Sequence, residues 1–263
     1  MSQGIRYSVF SKPWKEMPLQ DLARHIAELG FTGVEFPVRP GFQVEPEGVS
    51  DGLPKAARIF ADHGVAIESV AGPTDETTIA ACAEAGVPII RICLPIGEDG
   101  YLASEQRYRR QFEELVPVLD RYGVAVGIQN HCSNQVGSAV GVMNIIADFS
   151  PDHFCAVWDP AHNALAGEIP EQAIDIFWSH LRMVNLKNPM WMRENGPEAA
   201  VAQWRMYWTS GRQGIASWPK VVGVLQERGW EGPVCLTAEY SDKESVDRLI
   251  ADDLAFAKLL FGG

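Results

Sequence analysis

A repeated unit constrains the fold of this 263-residue chain more than any other feature. An amphipathic stretch ends in glycine, and an apolar run follows almost at once. The unit occurs at Glu28-Leu29-Gly30 before 32–36, at His63-Gly64 before 65–70, and at Ala85-Gly86 before 87–94. It returns at Tyr122-Gly123 before 124–128 and at Arg228-Gly229 before 233–238. Glycine just past a helix adopts the left-handed cap conformation with little penalty, so each copy reads as helix, stop, strand.

The amphipathic stretches keep helical spacing. Apolar residues fall at 19, 22, 23, 26 and 29 in the first, and at Phe112, Leu115, Val116 and Leu119 in a later one. The same spacing recurs at Val221, Val222, Val224 and Leu225, and at Leu249, Leu254, Ala257 and Leu260. The strand runs are nearly continuous in apolar residues, the pattern of strands covered on both faces in a parallel sheet. Eight such runs centre near Arg6, Val34, Ile67, Ile90, Val126, Ala156, Met183 and Leu236. Strand alternating with helix eight times over this length predicts an α/β fold, a single (β/α)8 TIM barrel spanning 1–263. An open doubly wound sheet is the alternative, but no glycine-rich dinucleotide loop follows the first strand.

Residues 189–214 break the rhythm. This long loop after the seventh strand carries Met190, Trp191, Met192, Trp204, Met206, Tyr207 and Trp208. It is expected to pack on its own barrel or on a second subunit of a homo-oligomer, with a lid over the substrate as the other reading.

Charge excludes several functions. A net charge of −12 argues against a nucleic acid or an anionic membrane surface as partner. No apolar run reaches the roughly 20 residues of a membrane span. The start of the chain shows no basic region followed by an apolar one, so no signal peptide is expected. Five scattered cysteines, without a CxxC pair, suit a reducing compartment, and the expected location is cytoplasmic.

In such a barrel the functional groups stand at the C-terminal ends of the strands. Those ends carry Gln129, Asn130 and His131 after the fifth run, and Asp159 and His162 after the sixth. They carry Asn185, Lys187 and Asn188 on the seventh, and Glu239 and Tyr240 after the eighth. The residues fit a single divalent ion held by Gln129, Asp159, Asn185 and Glu239, an oxygen-rich set suited to Mn2+ or Mg2+. Such an ion polarises a sugar carbonyl and stabilises an enediolate. Glu239 is the candidate base, with His162 or Lys187 holding or protonating substrate oxygens. Lys187 and His131 lie two residues from Asn185 and Gln129, on the same strand faces.

From Gly33-Val34-Glu35 through Asp159-Pro160-Ala161-His162 to Ala238-Glu239-Tyr240, the chain resembles the xylose isomerase-like TIM barrels. These are the sugar phosphate isomerase/epimerase superfamily that includes D-tagatose 3-epimerase. The resemblance implies a metal held by Glu, Asp, His and Glu on the fifth to eighth strands, with the two Glu exchanging the substrate proton. Asp159, His162 and Glu239 match that pattern. Gln129 stands in place of the first Glu, Asn185 in place of the His, and Asn188 in place of an Asp after the strand-seven Lys. Gln129 cannot accept a proton as a carboxylate does, so an exchange between two bases is not expected. The resemblance also implies that Trp14 stacks on the sugar, against a packing role, and that Arg212 in a Gly-rich turn holds a phosphate or carboxylate.

Glu35, Glu68 and Arg91 are expected to form an internal ion-pair cluster, because buried charges need partners. His25, His63 and His153 are expected to be solvated, and no role is expected for His180 or Cys132. The functional expectation is a sugar isomerase or epimerase acting on a sugar or keto-sugar by metal-assisted proton transfer next to a carbonyl. The alternatives are a one-base keto-sugar lyase or dehydratase, and a carbohydrate-binding barrel without catalysis.

Overall fold

The computed structural model describes residues 4–262. The outer ends of the expected domain, residues 1–3 and 263, lie outside the described residues. Eight strands close into a parallel barrel. In chain order they are β1 (Ile5–Phe10), β2 (Gly33–Pro37), β3 (Ala66–Ala71), β4 (Ile89–Ile92), β5 (Ala125–Gln129), β6 (Phe154–Trp158), β7 (Leu181–Leu186) and, after an inserted hairpin, β10 (Gly232–Leu236). Pairing of β1 with β10, from Ile5 opposite Gly232 to Val9 opposite Leu236, seals the ring and rules out the open doubly wound sheet.

The helices stop where the glycines stand. Helix α3 (Glu76–Ala85) starts with the Asp75 side chain accepting from the Thr78 amide and ends at Gly86, φ 71°. Helix α4 (Tyr101–Tyr122) ends at Gly123, φ 65°. Left-handed backbone is nearly free for glycine, so these stops cause little strain.

Apolar packing divides into two cores. The larger lies between strands and helices and includes Leu22, Phe36, Phe60, Phe154, Phe177 and Trp218. The smaller fills the lumen: Phe10, Ala71, Ile89, Ala125, Cys155, Val157, Met183 and Cys235. A side chain added at Gly127 would meet Val157 at 2.7 Å and Ile89 at 2.9 Å, so glycine is what lets the lumen close there.

Charge inside the lumen is compensated. Arg91 donates through Nε and one terminal nitrogen to both oxygens of the fully buried Glu35, each at 2.8 Å. Glu68 does not join this pair, contrary to the expected three-membered cluster. It binds Arg6 of β1 at 2.9 Å, reaching across the intervening strand β2.

Residues 189–214 do not form a plain loop. Strands β8 (Asn188–Arg193) and β9 (Trp204–Thr209) make an antiparallel hairpin, with Asn188 opposite Thr209 and Arg193 opposite Trp204. Trp191 and Trp204 lie largely exposed on it. Asn188 fastens its base: Nδ2 donates to the carbonyls of Gly211 (2.8 Å) and Ala216 (2.9 Å), and Oδ1 accepts from the Ala216 amide. A Cβ at Gly214 would lie 2.0 Å from Asn188 Oδ1, so only glycine fits against that side chain. Among the described residues no helix is long and apolar enough to cross a membrane.

Candidate active site

Strand geometry delivers the site. Side chains two apart share a face, so the lumen-facing alternation continues past the strand ends. Cys155 and Val157 lead to Asp159, Met183 to Asn185 and Lys187, and Cys235 to Thr237 and Glu239. Ala125 leads through Gly127 to Gln129 and His131. A cavity of about 500 Å³ opens at this end, lined among others by Gln129, His131, Asn185, Lys187 and Glu239.

Asp159 organises its floor. It precedes helix α6 (Pro160–Ala166), and its Oδ1 accepts from the Ala161 amide at 3.1 Å. Asn130 clamps its backbone from both sides, donating to its carbonyl at 2.9 Å and accepting from its amide at 2.8 Å. Asp159 Oδ2 accepts from Gln129 Nε2 at 2.7 Å and lies 3.4 Å from Lys187 Nζ and 3.5 Å from His162 Nε2. Burial raises the Asp159 carboxyl above its ordinary range, and Lys187, His131 and Gln129 offset part of that rise.

Lys187 joins the two carboxylates. Its Nζ donates to Glu239 Oε2 at 3.1 Å, and Lys12 Nζ donates to Glu239 Oε1 at 2.6 Å. Burial opposes charge on Lys187, but Asp159 and Glu239 outweigh it and hold the ammonium above the ordinary lysine range. Burial likewise opposes charge on Glu239, but Lys187 and Lys12 hold it well below the ordinary carboxylate range. Ala238, just before Glu239, adopts φ 51°, a left-handed conformation that costs a non-glycine residue roughly 1–2 kcal/mol.

His162 is buried against His131, their ring centroids 4.0 Å apart. Burial lowers both imidazoles, and the Lys187 charge lowers them further, so both are neutral near pH 7. Neither ring nitrogen of His162 has a hydrogen-bond partner among the described residues, and neither side-chain atom of the fully buried Asn185 has one. Trp208, from the hairpin, covers this floor with its ring 4.6 Å from Lys187 Nζ and 5.5 Å from the His162 ring.

Two expected substrate contacts do not line the first cavity. Trp14 donates Nε1 to Asp247 at 2.9 Å and packs edge-on against His25, so His25 is half-buried rather than solvated. Trp14 lines a second cavity of about 650 Å³, which shares Lys12 and Glu239 with the first. Arg212 is exposed, with its guanidinium 3.8 Å over the Phe256 ring, and lines neither cavity. His153 is bound to Asp120 at 2.6 Å. His180 is buried, bonded to Ser179 and the Phe149 carbonyl. The sequence reading missed Phe10, Lys12, Arg39, Cys93 and Thr237, all of which line the first cavity.

The expected metal set does not fit a hard divalent ion. Gln129 turns an N–H, not its oxygen, toward Asp159, and the Lys187 ammonium stands against both carboxylates. A divalent ion there would have to displace that ammonium. The described residues do bring one group of His and Cys donors together: ligand atoms of His131, Cys132 and His162 lie within 4.8 Å of one another. No carboxylate belongs to that group.

A model of the xylose isomerase-like TIM barrel family matches residues 23–260. No curated protein sequence matches the chain. Among solved structures, it is similar to D-psicose 3-epimerase with D-tagatose from Clostridium cellulolyticum H10: 13% identity, TM-score 0.73, covering 97% of this chain and 99% of that one. It is also similar to 3-keto-D-glucoside 4-epimerase from E. coli, at 13% identity and TM-score 0.71, covering 97% and 99%. A third is the probable 3-DHS dehydratase involved in petrobactin synthesis from Bacillus anthracis, at 12% identity and TM-score 0.69, covering 95% and 98%. At these identities the likeness is one of fold.

Proposed function

The chain belongs to the xylose isomerase-like TIM barrel family, and from that premise we propose that it is an enzyme moving a proton next to the carbonyl of a sugar or keto-sugar, with Glu239 as its one base. The observation that carries this reading is the Lys187 ammonium against both carboxylates, 3.1 Å from Glu239 and 3.4 Å from Asp159. A fixed cation at that place stabilises the oxygen on which charge develops when a carbon acid is deprotonated. The family resemblance implies a metal ion in that role. Here Lys187 fills it, and no step passes through a metal.

In the ground state Lys187 and Lys12 keep Glu239 a weak base. Substrate oxygens that draw these ammonium groups onto themselves return basicity to Glu239 when the substrate is in place. Glu239 then takes the proton from the carbon next to the carbonyl. The neutral His131 imidazole, which lines the cavity, carries the hydroxyl proton between neighbouring oxygens. The unpartnered amide of Asn185 and hydroxyl of Thr237 suit sugar hydroxyls. Gln129 leaves the opposite side of the cavity without a second base. A single base returns the proton on the face from which it was taken, which suits aldose–ketose isomerisation and disfavours inversion at one carbon. Loss of a β-hydroxyl from the same enediolate, a dehydratase outcome, uses the same residues.

The test is proton exchange and product formation on a panel of aldoses, ketoses and keto-sugars in D2O, followed by NMR with and without EDTA. The reading expects Glu239-dependent deuterium uptake next to the carbonyl that survives EDTA. No exchange with any member, alongside retained sugar binding, would favour the non-catalytic carbohydrate-binding barrel.

A further inference from the structure

The first cavity has a second, chemically distinct side. Opposite the polar ends of β5, β7 and β10 it is walled by Phe10, Val38, Pro40, Pro46, Pro73 and Ile92, with Arg39 set among them. Four cations line the cavity: Lys12, Arg39, Arg91 and Lys187. Arg91 is taken by Glu35, and Lys12 and Lys187 by Glu239 and Asp159. Arg39 alone of the four has no carboxylate partner among the described residues.

The Arg39 guanidinium is nevertheless held in place. Nε donates to the Ala71 carbonyl at 3.3 Å, and the group lies 5.7 Å from the Phe10 ring centroid, on which Arg91 also sits at 4.9 Å. Its two terminal nitrogens form no hydrogen bond within the described protein. Burial and the nearby Arg91 charge lower its pKa, and Glu35 and Glu239 offset part of that. A positioned, half-buried guanidinium with no carboxylate on its terminal nitrogens, lining an open cavity, is a ready two-point donor for an anion. The planar fork matches a carboxylate or phosphate in a two-point contact.

We propose that the ligand carries an anionic group, a carboxylate or a phosphate ester, which Arg39 grips across the cavity from Lys187 and Glu239. The substrate class is thus narrowed from sugars at large to acidic sugars. This rests on the proton-transfer reading for its catalytic meaning, but the anion site stands or falls by binding alone. With Arg39 holding the charged end, the reacting carbons lie toward Glu239, and the buried amide of Asn185 meets the hydroxyls.

The test uses the full chain and calorimetric titration with four probes: inorganic phosphate, D-glucuronate, D-glucose 6-phosphate and, as the uncharged control, D-glucose. One of the two charged sugars is expected to bind more tightly than D-glucose, and which one it is separates carboxylate from phosphate. Arg39→Met is expected to weaken that probe on the order of tenfold to a hundredfold, the range for hydrogen bonds to a charged group. It should leave D-glucose binding as it was. Arg39→Lys, which keeps the charge but not the fork, should fall between. Equal affinity for charged and neutral sugars, no binding of any anion, or an anion preference that survives Arg39→Met and disappears in Lys12→Met would overturn the proposal. Glu239→Gln separates the two readings. Anion preference in a native chain that turns over no sugar, unchanged in Glu239→Gln, would leave the Arg39 site standing and remove the catalytic reading.

Discussion

Gln129 gives its side-chain N–H to Oδ2 of Asp159 across 2.7 Å. A carboxylate at 129 would face Asp159 over that gap, and two like charges so close cannot both ionise without a proton or cation between them. Gln129→Glu is therefore expected to take up manganese in calorimetric titration, where the native chain shows no heat. Native protein that purifies with one equivalent of manganese, lost on Asp159→Ala, would overturn the lysine-centred reading.

Glu239 is expected to carry the proton. Glu239→Gln should lower turnover on the order of 10³-fold, within the usual range for a positioned base. The melting temperature should change little, because Lys187 keeps Asp159 and Lys12 is half exposed. Turnover near the native value in the variant would remove Glu239 from the mechanism.

Lys187 is not expected to form a Schiff base, which requires a neutral amine. Asp159 and Glu239 keep it an ammonium. Borohydride added with a keto-sugar should leave the mass of the chain unchanged. A sugar adduct mapped to Lys187 would contradict this.

Stability toward acid should show two opposing windows. The buried His162 stays neutral in the fold while the unfolded chain protonates it below its ordinary pKa of 6.5. This side chain therefore takes away about 1.4 kcal/mol of stability per pH unit as pH falls below that value. His131 acts in the same direction. Asp253 works oppositely. Burial raises it from 3.8 to about 6, so the folded chain binds the extra proton between those values and gains stability as pH falls. Melting temperatures should drop from pH 6.5 to 6 and drop less steeply below it. The drop should shrink in His162→Gln and keep its full slope below pH 6 in Asp253→Asn. Identical pH profiles for native and both variants would refute the assignment.

Removing one partner of the lumen pair should be severe. Glu35→Ala strands the Arg91 guanidinium and is expected to lower unfolding free energy by about 3–5 kcal/mol in urea titration. Glu35→Leu with Arg91→Met should recover much of that loss. A single variant as stable as native would mean water reaches the pair.

The barrel is legible because its signals are local. Helical spacing, glycine stops and apolar runs each sit within a few residues, and only closure requires the whole ring. The polar ends of β5 to β7 and of β10 are equally local, and Gln129, Asp159, Asn185, Lys187 and Glu239 do meet. Lys12, Arg39, Cys93 and Thr237 carry a usable signal too: each lies two past a residue in the last two positions of a strand, Phe10, Pro37, Arg91 or Cys235, and continues its alternation. Trp14 drew notice as an aromatic, although its neighbour Lys12 holds the lumen-facing phase. Arg212 was placed by its turn, but no local pattern foretells the Phe256 ring that receives it. The hairpin went unread because β7 and β8 are separated by Lys187 alone, so two strands look like one run entering a loop.

That single-residue join bears on how such a barrel can be altered. The excursion leaves beside Asn188 and comes back to the same side chain, whose amide bonds Gly211 and Ala216. Seen from the barrel, the hairpin is a cassette fastened at its base by Asn188 and at Trp208 by Ser241, which bonds both the amide and the carbonyl of that residue. A longer, shorter or foreign segment spliced between 191 and 206 is expected to leave Asn188 and Trp208 fastened and Lys187 in register. The cover is thereby free to diversify for new ligands while the machinery beneath it remains fixed.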